Sequence, residues 1–160
     1  QGISMTPVQA IRALATLANG GKLITPHILK KIEYQDGTEY VPTLPHPEQI
    51  LSTDTADTIT KMLVNIVDVA LRNGTVKMPR YTIAAKTGTA QIADPATKRY
   101  YTDRYLHSFF GYFPAYDPKF IVLLYQVNPK GAAFAAETLT GPFMDTAKFL
   151  INYYELPPDR

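Results

Sequence analysis

Six consecutive residues, Lys86-Thr87-Gly88-Thr89-Ala90-Gln91, bring together the groups that would hold an anionic, carbonyl-bearing ligand. They supply a cation, two hydroxyls and one residue without a side chain. Thr82, Ile83, Ala84 and Ala85 precede them and read as extended chain, so the six are carried on a strand. There the backbone N–H groups and the Thr hydroxyls can engage a carboxylate and a carbonyl oxygen together. Other chemistry is thin. Cys is absent, which removes disulfides, thiol nucleophiles and Cys-based zinc sites and leaves the compartment open. His27, His46 and His107 are not spaced as metal ligands, and no metal or cofactor is expected; His107, at the start of a strand, reads as structural. Asp94, Asp103 and Asp117 fall in turn-rich segments rather than as an acid/base pair.

A helix is expected before the strand and another after it. Thr6 and Gln9 form a Thr-x-x-Gln capping box around Pro7. Val8, Ile11, Leu14, Ala15 and Ala18 then recur at helical spacing until Asn19-Gly20-Gly21. Two short strands follow, roughly Ile28 to Tyr34 and Thr38 to Val41, turning at Asp36-Gly37. Pro42, Pro45 and Pro47 make the next stretch irregular. A second helix opens at Ser52 or Thr53, carries Ile59, Met62, Leu63, Ile66, Val67 and Ala70 on one face, and stops at Asn73-Gly74. That stop also explains the sequon-like Asn73-Gly74-Thr75 without a glycan.

Strands are predicted over Tyr81 to Ile92, His107 to Phe113 and Lys119 to Val127, the last two joined through Ala115-Tyr116-Asp117-Pro118 as an antiparallel hairpin. Phe120 to Tyr125 is apolar at successive positions, which places it inside a sheet covered on both sides. Ala93 to Leu106, with Lys98, Arg99, Tyr100, Tyr101, Arg104 and Tyr105, reads as a solvated connector, with a peptide groove or partner contact as the other reading. A last helix runs from about Pro142 to Tyr154.

With 160 residues, 46% of them apolar and 19% charged, the chain is one domain or a large part of one. Such a length buries about 70% of its unfolded surface, enough for a real core. A net charge of +2 with no Lys/Arg run beyond two residues excludes nucleic acid as an expected partner. No apolar run approaches the roughly 18 residues of a membrane span, and the opening Gln1-Gly2 reads as a cut within a longer protein.

Set in this order of elements, the motif resembles one family. The sequence is similar to the C-terminal part of the transpeptidase domain of class B penicillin-binding proteins, the monofunctional enzymes of cell division and elongation. Gln1 to Pro7 with Ala13 to Gly21 resembles the family's "GQGISVTP…ALANGG". Ala84 to Gln91 resembles its A-G-K-T-G-T-A-Q strand, with Ala85 in place of the usual Gly. His107 to Ala115 and Phe120 to Val127 resemble the two strands that follow, whereas Tyr34 to Ile50 does not match closely.

The resemblance implies an α+β fold over 1–160, an antiparallel sheet flanked by helices as in the serine β-lactamase-like transpeptidases, here its incomplete C-terminal portion. The second and last helices are expected on one face of the sheet and the first in an adjacent helical part, with apolar surface left exposed and oligomerisation or strand exchange favoured. The implied activity is acylation of a Ser by a D-Ala-D-Ala stem peptide and transfer to an amine, with β-lactams acylating the same Ser. On this chain Lys86 raises the local positive potential and bonds the Ser of a Ser-x-Asn element. The Thr87 and Thr89 hydroxyls hold the substrate carboxylate, the Thr89 N–H forms half of an oxyanion hole, Gly88 leaves the strand edge clear, and Gln91 adds to substrate binding. The implied partners are the stem peptide, β-lactams, the upstream half of the same domain and the cell-wall synthesis machinery, on the extracytoplasmic face of the bacterial cytoplasmic membrane.

S-x-x-K and Ser-x-Asn are absent: Ser4, Ser52 and Ser108 are followed by Pro7, Thr55 and Gly111 at the Lys position. The chain alone is therefore expected to be inactive. Two other readings stand beside this one: a penicillin-binding-like scaffold or binding module without chemistry, and, disfavoured by Thr-Ala-Gln after Lys-Thr-Gly, a serine β-lactamase fragment.

Overall fold

A computed structural model describes residues 2–160; Gln1, part of the first matched segment, lies outside the described residues. Helix α1 (Pro7–Ala18) begins as its sequence dictates. The Thr6 side chain accepts the Gln9 N–H, and the Gln9 side chain accepts the Thr6 N–H at 2.8 Å. The following segment is sparse in structure. Strand β1 (Lys22–Leu23) pairs with β4 (Glu48–Gln49), and β2 (Ile32–Glu33) with β3 (Glu39–Tyr40), each a two-residue antiparallel ladder. The two expected strands are thus far shorter than the β-prone run suggested. They carry no apolar face that another element covers, and Ile28, Ile32, Tyr34, Tyr40 and Val41 are exposed.

Helix α2 (Thr53–Asn65) is capped by the Ser52 hydroxyl. It passes into a π turn over Ile66–Ala70 and a 3-10 turn over Leu71–Gly74. The wider turn rotates the apolar stripe, so Leu63 and Val64 enter one core and Val67 and Leu71 another. Arg72, Asn73 and Gly74 all have positive φ, which ends the helix where the sequence placed its stop.

The centre is one antiparallel sheet of β5 (Ala84–Asp94), β6 (Arg99–Phe113) and β7 (Phe120–Val127), in that order. Register assigns its faces. Ala84, Tyr112 and Ile121 are cross-strand partners and pack with Leu63, Val64, Leu17 and Ala18 of α2 and α1. Ala85, Gly111 and Val122, then Phe109 and Leu124, lie on the opposite face. There Phe143, Met144, Ala147 and Ile151 cover them from helix α4 (Thr140–Tyr153). The Phe109 and Phe143 rings stack with centroids 4.4 Å apart.

Three expectations change. The second and last helices sit on opposite faces of the sheet rather than sharing one, and the first helix packs with the second on its face. Strand β7 is apolar on both faces because both are covered, yet it is an outer strand of the three, not an inner one. The stretch from Ala93 to Leu106 is not a connector. It is an antiparallel arm in which Ala93 pairs Tyr100 and Asp94 pairs Arg99, with Ile92 alone opposite Tyr101 to Arg104. Tail and sheet are then tied together. The Asp159 carboxylate accepts the Thr82 N–H at 2.7 Å and the Thr82 hydroxyl, and Arg160 forms a two-pronged pair with Asp68 of the π turn.

Candidate active site

Strand β5 changes character along its length. Ala84 and Ala85 are fully buried, whereas Lys86 and Thr89 are exposed and Thr87, Gly88 and Gln91 half-buried. As an outer strand, β5 leaves one long edge unpaired among the described residues, so a ligand can reach both the backbone and the side chains of this stretch. Lys86 and Gly88 lie on the α1/α2 face. Thr87 and Thr89 lie on the α4 face beside Phe109 and His107, their register partners. The Lys86 ammonium bends back to the Thr87 carbonyl at 2.7 Å, which brings the charge to the strand edge between the two faces.

Ala85 fits because its partner is glycine. A Cβ at Gly111 would come within 2.7 Å of the Ala85 Cβ and 2.5 Å of the Phe143 ring, so the missing methylene of one strand accommodates the extra one of the other. Gly88 leaves room for its neighbour: a Cβ there would lie 2.5 Å from the Ser108 Oγ, which donates to the Gly88 carbonyl at 3.3 Å and would have to rotate away. Ser108 is a neighbour that sequence spacing did not single out. Only the register, Gly88 opposite Ser108, brings it to the motif.

The remaining motif side chains are held by elements on either side. The Thr89 Oγ1 accepts the backbone N–H of Ala135 at 3.0 Å. Ala135 opens a one-turn helix, α3 (Ala135–Thr138), which no periodicity announced. Gln91 Nε2 donates to the Tyr101 carbonyl at 3.1 Å and ties the motif to the arm. At the arm's tip the Thr97 hydroxyl and then the Ala96 N–H hold the Asp94 carboxyl below its ordinary range, and the Arg104 guanidinium lies 4.0 Å over the Tyr101 ring.

Open space adjoins this end of the sheet. A cavity of about 460 Å³ is lined by Ile3, Met5, Pro7, Ala10, Leu106, Ser108, Tyr125 and Val127. A second of about 420 Å³ lies between Gly2 to Ser4 and Ala90 to Ala93. Ile3, Met5 and Val127 are exposed, which gives the expected uncovered apolar surface. A further cavity of about 570 Å³, lined by Ile24 to His27 and Leu44 to Pro47, shares no lining residue with β5.

An outer strand bearing Lys-Thr-Gly-Thr, backed by a helix on each face of an antiparallel sheet, matches the α+β fold expected of the transpeptidase domain, and sequence comparison agrees. The chain belongs to the penicillin binding protein transpeptidase domain family, whose pattern it matches over residues 1–145. It is 32% identical to penicillin-binding protein PbpB of Mycolicibacterium smegmatis over 98% of its own length and 26% of that protein's. It is 30% identical to the peptidoglycan D,D-transpeptidase MrdA of Haemophilus influenzae, covering 88% of this chain and 23% of that one. Its fold superposes on penicillin binding protein 3 of Mycobacterium tuberculosis complexed with ampicillin with a TM-score of 0.85, at 30% identity, over 99% of this chain and 37% of that one. The chain therefore spans about a quarter of the length of these curated relatives.

Proposed function

We propose that this chain forms the substrate-carboxylate wall of a serine D,D-transpeptidase that cross-links peptidoglycan stem peptides ending in D-Ala-D-Ala and is acylated by β-lactams. The observation that carries the proposal is the unpaired edge of β5, with Lys86 bent to that edge and Thr87 and Thr89 side by side on one face. In this reading the two hydroxyls and the Lys86 charge hold the terminal carboxylate. The Thr89 N–H stabilises the tetrahedral oxyanion, a contribution of about 3 kcal/mol for one such donor. Gly88 keeps the edge free of a Cβ, and Gln91 holds the arm beside the bound peptide. Lys86 also bonds a Ser-x-Asn serine contributed by polypeptide outside these residues. The acylated Ser and its Lys come from the same source, since none of the serines here precedes a Lys at the required spacing.

The name of the Haemophilus relative, a peptidoglycan D,D-transpeptidase, supports the reaction class, and the ampicillin complex of the mycobacterial protein supports β-lactam binding. Cell-wall assembly of this kind takes place on the extracytoplasmic face of the cytoplasmic membrane, where we place the protein with its synthesis partners. No described helix is long and apolar enough to cross a membrane.

Fluorescent penicillin tests the reading. The 160-residue chain alone takes no label; mixed with the segment that carries S-x-x-K and Ser-x-Asn, or joined to it, the protein labels at the serine of that segment. Labelling of the isolated chain would show that a nucleophile is present in it. Absence of label in the joined protein favours the non-catalytic scaffold, and rapid release of hydrolysed penicillin favours a β-lactamase.

A further inference from the structure

His107 is fully buried, yet its chemistry is only half used. Its Nδ1 lies 2.8 Å from the Thr138 Oγ1, while its Nε2 is buried without a hydrogen-bond partner. A phenyl or isobutyl group would fill the same space without leaving a buried polar atom unmatched, so the imidazole calls for a reason. Position supplies one. His107 stands on the same rung of the sheet as Thr89 and on the same face, and the helical turn α3 spans both. Ala135 at its start donates its N–H to Thr89, and Thr138 at its end meets His107.

That turn has little to hold it locally. Four residues make one turn, for which nucleation is unfavourable. Phe134, in the capping position, offers no side-chain acceptor, and only the Glu137 carboxylate reaches back to the Phe134 N–H, at 3.2 Å. Its seat comes from around it: Ala135 and Leu139 buried in the α4-side core, the Arg72 guanidinium donating to the Ala136 and Glu137 carbonyls, the Thr140 hydroxyl donating to the Ala136 carbonyl at 2.7 Å, and, at the end nearest the strand, the bond to His107.

We propose that His107 and Thr138 form a latch that seats α3 against the end of the Lys-Thr-Gly-Thr strand and so holds the Thr89 hydroxyl as a hydrogen-bond donor toward a ligand carboxylate. A hydroxyl has one proton and two lone pairs. With one lone pair occupied by the Ala135 N–H, the Thr89 proton is left to point outward, and accepting a bond strengthens the hydroxyl as a donor. Release of α3 frees the hydroxyl to rotate. His107 and Thr138 are positioning residues here, because neither reaches the strand edge itself.

This inference rests on the carboxylate-wall reading above, and the test separates the two. In the full-length protein, the second-order rate of acylation by fluorescent penicillin is measured for wild type, Thr138→Val and Thr138→Ser, alone and with Thr89→Val. Thr138→Val, which keeps the shape and loses the hydroxyl, lowers the rate about 10-fold, as expected for losing one neutral bond's orientation, a factor equal to about 1.4 kcal/mol. Thr138→Ser restores it to within about 2-fold, and Thr138→Val adds nothing once Thr89 is Val, since the coupled pair acts through one hydroxyl. Equal rates for Thr138→Val and Thr138→Ser, or losses that multiply with Thr89→Val, overturn the latch. If wild type takes no penicillin, the transpeptidase reading fails by itself. The latch is then read from hydrogen exchange, where Thr138→Val must speed exchange of the Ala135 amide relative to Thr138→Ser; equal exchange overturns it.

Discussion

The two ends of β5 and β6 share one ladder and do opposite things. At the closed end Ala84, Ala85, Tyr112 and Phe113 are fully buried between α2 on one face and α4 on the other. At the open end Lys86, Thr89, Arg104 and the tip of the arm are exposed: Thr89 accepts the Ala135 N–H of α3, Lys86 donates to the Thr87 carbonyl of its own strand, and Arg104 lies over the Tyr101 ring. Stability is concentrated where apolar area is removed from water. Recognition is concentrated where the same strand leaves its helices. A rigid closed end lets the open end present polar groups in fixed positions without a core of its own.

Substitutions that act on one end and spare the other sharpen this contrast. The largest effect is expected for Phe143→Ala. Its fully buried ring stacks on Phe109 and fills the space left by Gly111. Loss of about 3–5 kcal/mol of stability, read by urea unfolding, is the expected outcome, with penicillin labelling lost only in proportion to the unfolded fraction. Next comes Lys86→Ala at the open end. It should lower labelling of the joined protein about 100-fold while its unfolding midpoint stays within the roughly 0.5 kcal/mol typical of surface changes. A matching loss of stability would mean that the two ends are not separable.

Asp68 is the third case and adds pH. The hydrogen bond from Arg160, opposed by burial and helped by the charges of Arg160 and Lys77, holds its carboxyl below the ordinary range. The folded value lies below the unfolded one of about 3.9. The contribution is therefore complete above that value and is lost as pH falls through the folded pKa. Asp68→Asn is expected to cost about 1–3 kcal/mol at neutral pH and to flatten the acid limb of stability measured between pH 5 and 2. An unchanged acid limb would remove the Asp68–Arg160 pair from the closed end's supports. The smallest effect is expected for Arg104→Ala on the arm, at most about 0.5–1 kcal/mol for an exposed cation over a ring, visible as faster exchange of arm amides and not as a shift of the global midpoint.

Much of this was legible beforehand, and the misses share a cause. Thr6 to Ala18 and Ser52 to Asn65 were readable because capping side chains and a 3.6-residue stripe are local. The arm was not, because Tyr100 to Tyr105 lacks the alternation that a covered strand face imposes; its pairing is fixed by the register of the strand it extends. α3 was invisible because one turn has no period, and Val67 parted from Leu63 of its stripe, with Leu71 joining it in the other core, through a π turn that only packing selects. In the site, Lys86 to Gln91 stood out by residue type alone, while Ser108, Ala135 and Thr138 entered through register and docking.

Residue types and local spacing determined which chemistry the chain carries and which segment carries it, because cations, hydroxyls, caps and stripes are properties of neighbours in sequence. The tertiary structure decided which strand lies outermost, which helix covers which face and which partners the motif's side chains meet. Those follow from cross-strand register and from the burial of apolar faces, and both are contacts between residues far apart along the chain.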